Sequence, residues 1–108
     1  MADATYNETS INQEVKRANL QDRQDEVDQN RAGANAIYGL TAKEAANIKG
    51  KSDEEILNMG YYDVEHIKKM AEERLAVELE YEQAEREISD ELQSTWKADT
   101  EAYLESVQ

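Results

Sequence analysis

From Asp63 to Val107 the chain contains no glycine, and proline is absent throughout its 108 residues. Nothing in that stretch interrupts a helix, and most of it is Glu, Ala, Leu, Met, Lys, Arg and Gln, all strong helix formers. Asp63 follows Gly60-Tyr61-Tyr62 and suits an N-cap, because its carboxylate can accept from the unpaired N–H groups of a first turn. Residues 63–107 therefore read as one long helix. At about 1.5 Å per residue it would exceed 60 Å, whereas a compact chain of this size has a radius of gyration near ~13 Å. A straight helix of that length cannot be enclosed by its own globule. The expectation is an all-α fold, extended or partner-dependent rather than compact globular.

The apolar residues of this helix recur at steps of three and four, which places them on one stripe. Leu75 and Leu79 widen the stripe in the first half and imply two neighbours there. Between Met70 and Ile88 the spacing fits a heptad, with Met70, Val77 and Ala84 on one position and Ile67, Tyr81 and Ile88 on the other. Arg74 interrupts it. After Ile88 the steps become four and four, to Leu92 and Trp96, as in a stutter. The pattern suggests local coiled-coil packing rather than a long regular zipper. Rigid aromatics on a projecting helix are favoured interface anchors. The candidate partner interface is accordingly Tyr81, Ile88, Leu92, Trp96 and Tyr103. The competing expectation is that the N-terminal helix folds back antiparallel and covers these residues.

Ahead of this helix, residues 1–9 read as an extended polar arm with Tyr6 as its anchor, and 10–108 as a single helical domain. Residues 10–37 favour helix, but their apolar stripe is thin. Ile11, Val15 and Ala18 share a face, and Leu20, Val27 and Ala34 repeat at sevens among polar residues. Such a helix needs a neighbour. The small residues around Gly33 permit close helix approach, although Ala is also simply a good helix former. Gly39-Leu40 suits a left-handed C-cap with its hydrophobic contact. Thr41-Ala42-Lys43-Glu44 and Ser52-Asp53-Glu54-Glu55 are capping boxes, which predict two short helices over 41–60. Ile37, Tyr38, Leu40, Ile48, Ile56, Leu57, Met59, Tyr61 and Tyr62 are the candidate core against Val64–Leu79. No segment alternates as a strand would.

Charge narrows the partners. There are 25 acids against 12 bases, a net charge of −13, and residues 64–108 carry −8 of it. Such a surface repels phosphate backbones and anionic membranes, so direct nucleic-acid binding and membrane insertion are not expected. Met1–Thr5 has neither the basic start nor the apolar run of a signal peptide, so cytoplasmic synthesis is expected. The acidic series along the long helix reads first as a solvated face, balanced by pairs such as Glu82–Arg86 and Glu65–Lys69. A second reading is a docking surface for a basic protein.

Catalytic signals are weak. Asp63 and the only histidine, His66, stand three apart on one helix face, as the carboxylate–His pairs of di-metal bundles do. Glu14, Glu44 or Glu73 would have to complete such a site, in a dimer. The motif carries Asp rather than Glu and has no second copy, so no metal, cofactor or catalytic residue is assigned. With no cysteine, thiolate chemistry is absent. No Gly-x-Ser-x-Gly elbow occurs. The expectation is a non-enzymatic structural or assembly subunit that works through helix packing in a homo- or hetero-oligomer. Virion components, secretion apparatus and assembly chaperones share that character. The alternative is an acidic adaptor or inhibitor of a basic protein, and the third is a dimeric di-metal enzyme.

Overall fold

Gly39 ends the first helix. Its φ of +69° lies in the left-handed region that residues with a Cβ avoid, and Leu40 beside it is buried. The computed structural model describes residues 2–107, with side chains from 12 to 106. Four helices follow one another: α1 (Ala2–Tyr38), α2 (Ala42–Lys49), α3 (Asp53–Asn58) and α4 (Val64–Val107). Long N-terminal and C-terminal helices are thus joined by two short ones, and no strand occurs among the described residues.

The caps form where the local residues place them. Thr41 Oγ1 accepts from the Glu44 N–H at 3.1 Å, and Glu44 Oε1 accepts from the Thr41 N–H at 3.1 Å. Ser52 and Glu55 make the same reciprocal pair at 3.2 and 3.4 Å. Ahead of α4, Asp63 Oδ1 accepts from the His66 N–H at 3.1 Å. Gly60, with φ +98°, supplies the turn between α3 and Asp63.

The N-terminal boundary differs from expectation. Where an extended arm was expected over 1–9, α1 begins at Ala2. Residues 2–10 contain neither Gly nor Pro to break a helix. Met1 and the side chain of Tyr6, the proposed anchor, lie outside the described residues. Gly33 does not interrupt α1 either. A Cβ built there meets nothing within 4 Å, so this glycine serves no close helix approach.

The chain divides into two compact units, Met1–Val27 with Ala84–Gln108, and Asp28–Gln83. The second holds a small core of Leu40, Ala45, Ile48, Ile56 and Ala71, against which Tyr61, Val64, Ile67, Met70 and Leu75 pack. Leu40, Ile48, Ile56 and Tyr61 were expected in it, whereas Ile37, Leu57, Met59 and Tyr62 are exposed. A six-residue helix such as α3 presents one inward position, which Ile56 occupies. Leu57, about 100° further round, points away. At the end of α1, Ala34 is buried and Tyr38 half-buried, four residues apart on one row. Ile37 falls off that row.

In both units α1 and α4 run antiparallel. Within the first, Arg17 pairs with Asp99, Arg23 with Glu91 and Gln24 with Glu85. Within the second, Asn30 bonds Tyr81, Arg31 bonds Glu78 and Asn35 bonds Arg74. Among the described residues the buried positions of α1 are Gln13, Leu20, Val27 and Ala34, seven residues apart each time. Val15 and Ala18 are exposed, and the Ile11 side chain lies outside the described residues.

Candidate helix-docking surface

The buried row of α4 is Ala71, Arg74, Glu78, Ile88 and Thr95, with Tyr81 half-buried on the same row. Its steps of three, four and seven are heptad spacing. The residue that interrupts the apolar heptad is thus its most buried member, for Arg74 is 0 % exposed. Met70, Val77 and Ala84, taken as one heptad position from the sequence, are half-buried and lie one place off this row.

A polar network explains how the row tolerates charge. Arg74 donates from Nε and Nη2 to Asn35 Oδ1 at 3.0 and 2.8 Å, and from Nη2 to Glu78 Oε1 at 3.0 Å. Arg31 grips the same carboxylate with Nε to both oxygens at 3.1 Å and Nη2 to Oε2 at 2.9 Å. Both guanidinium groups lie against the Tyr81 ring, 5.8 Å from its centre for Arg31 and 6.0 Å for Arg74. A buried charge is tolerated when it is paired and hydrogen-bonded on several sides. The Arg31 hydrogen bonds hold Glu78 below the usual glutamate range. Burial opposes this shift, and Arg74 adds to it. Tyr81 donates its hydroxyl to the Asn30 carbonyl at 3.2 Å.

The five interface candidates therefore separate into two groups. Tyr81 belongs to this network, and Ile88, 3 % exposed, packs inward. Trp96, by contrast, is 69 % exposed and Leu92 43 %, with Tyr103 and Leu104 exposed further along. Fold-back of α1 covers the inward row and leaves Trp96 bare. After Ile88 the buried row continues through Thr95, whose hydroxyl donates to the Glu91 carbonyl at 2.8 Å. The apolar residues instead step to Leu92, Trp96 and Tyr103. What reads as a stutter is the apolar stripe leaving the buried row and turning outward. Leu92 and Trp96 floor an open groove edged by Arg17, Ser89, Gln93 and Lys97.

Elsewhere the surface offers less chemistry. Neither Glu82–Arg86 nor Glu65–Lys69 forms an ion pair among the described residues. Pairs that do close three or four residues apart include Arg74–Glu78, Arg31–Asp28 and Lys51–Glu55. Asp63 is spent on the α4 cap, and no three His, Asp or Glu side chains among the described residues converge as a metal site. No helix among them is long and apolar enough to cross a membrane. The chain matches no family model, no curated protein and no solved structure.

Proposed function

We propose that the protein is a non-enzymatic assembly subunit that acts by helix packing, and that the Leu92–Trp96–Tyr103 face of α4 is its docking surface. One observation carries this reading: a tryptophan left 69 % exposed beside an exposed leucine, in an open groove whose far edge is Arg17 of α1. A large apolar side chain loses free energy in water at roughly 25 cal/mol per Å², so a contiguous exposed patch marks a binding surface. Tryptophan is also among the residues most concentrated at binding hot spots.

Sedimentation of the protein in an extract of its source cells tests the reading. The wild-type chain should travel in a complex larger than the monomer, and Trp96→Ala should release it as a monomer of unchanged helix content. A wild-type monomer in the extract, or a variant that stays in the complex, would contradict it.

A further inference from the structure

A second apolar groove lies on α4 within the unit Asp28–Gln83. Leu79, 64 % exposed, forms its floor with the half-buried Leu75. Glu72 and Glu82 stand on its rim opposite a single base, Lys49, while the nearby Glu78 is already held by Arg31 and Arg74. The Leu92–Trp96 groove has the opposite rim, for Lys97 and Arg17, the latter held by Asp99, line it and no acid does. Arg86 lies further back on the same row, with Asp90 between it and Lys97. Arg86 and Lys97 are the only bases of α4 beyond Gln83. Both are exposed, and neither has an ion-pair partner among the described residues. Lys97, a base on an otherwise acidic helix end, thus stands beside its exposed tryptophan.

Resting on the docking surface proposed above, we infer that its occupant is a second copy of this chain. The Leu75–Leu79 groove of one copy receives the Leu92–Trp96 face of the next, with Lys97 set against Glu72 and Glu82. Self-pairing of two Trp96 faces is the poorer arrangement, because the lining of that groove carries bases and no acid to set against them. A contact between two different patches is heterologous, so it propagates from copy to copy until it closes a ring or extends a filament. Apolar floors supply the attraction, and opposite rims select the partner and its register.

Sedimentation equilibrium of the purified full-length chain, with Lys97→Glu and Glu82→Lys, tests this. Both positions are exposed, so circular dichroism should report unchanged helix content. The wild type should self-associate with rising concentration, and more weakly in high salt. Each single variant should associate about tenfold more weakly or worse, because it sets like charges across the contact. An equimolar mixture of the two should recover association, since each then presents a groove complementary to the other's. A purified wild type that stays monomeric at every concentration would overturn the second-copy assignment, and leave the docking surface to the extract experiment. So would self-association that Glu82→Lys leaves unchanged, or a mixture no stronger than its components.

Discussion

Arg74 and Glu78 stand one helical turn apart on α4, joined at 3.0 Å, with the guanidinium wholly buried and the carboxylate gripped from its other side by Arg31. Breaking a buried pair by removing one partner leaves an uncompensated charge and costs about 3–5 kcal/mol. Glu78→Gln should destabilise the protein by about 3 kcal/mol in urea unfolding. Replacing the pair together, as Arg74→Met with Glu78→Leu, should lose less than Glu78→Gln alone, because no half of the pair is then stranded.

The same carboxylate sets a pH dependence. Glu78 titrates below the usual glutamate range in the folded chain because Arg31, and then Arg74, favour its charged form. A lowered folded-state value means the stabilisation is fully present above the ordinary glutamate range and is lost as pH falls through the folded value. Unfolding free energy should therefore decline on acidification below the ordinary range. Glu78→Gln should flatten that decline.

Two glycines should respond in opposite directions. Gly33 lies inside α1 with open space where a Cβ would go, so Gly33→Ala should stabilise by about 0.5–1 kcal/mol. Gly39 has φ +69°, and Gly39→Ala should cost about 1–2 kcal/mol. Thermal unfolding of the two variants checks both signs.

Ile88 and Trp96 were grouped by sequence and are separated by burial. Ile88→Ala should cost roughly 2–5 kcal/mol of stability, as large-to-small changes in a core do. Trp96→Ala should leave the stability of the isolated monomer within about 0.5 kcal/mol while weakening association. A loss of monomer stability at Trp96 as large as at Ile88 would place the tryptophan in the interior instead.

Local features were the most legible in the sequence. The caps at Thr41, Ser52 and Asp63 and the stop at Gly39 depend on residues within one turn of each other, and each forms as read. The seven-residue row of Leu20, Val27 and Ala34 was legible because its members are apolar residues of an otherwise polar stretch. The pairing row of α4 was not. An apolar-only periodicity skips Arg74, Glu78 and Thr95, yet these are buried because residues far along the chain satisfy them, Asn35 and Arg31 among them. A usable signal existed in Arg31, Gln24 and Arg17, also seven apart, which face Glu78, Glu85 and Asp99. Opposite charges or amide–carboxylate partners at matched heptad positions on two helices point to a polar seam. The outward turn at Leu92 and Trp96 was equally hidden, since steps of four on an apolar stripe do not say which row stays buried.

The most direct measurement of the docking face is site-specific photo-crosslinking on α4, with the photoreactive residue placed at 96 or at 87 in the full-length chain in its source cells. Positions nine residues apart lie on opposite sides of a helix, and Trp96 and Glu87 are both exposed. The expected result is a discrete crosslinked adduct from position 96 and none from position 87. Equal adducts from both positions, or none from 96, would contradict a docking surface centred on Leu92 and Trp96.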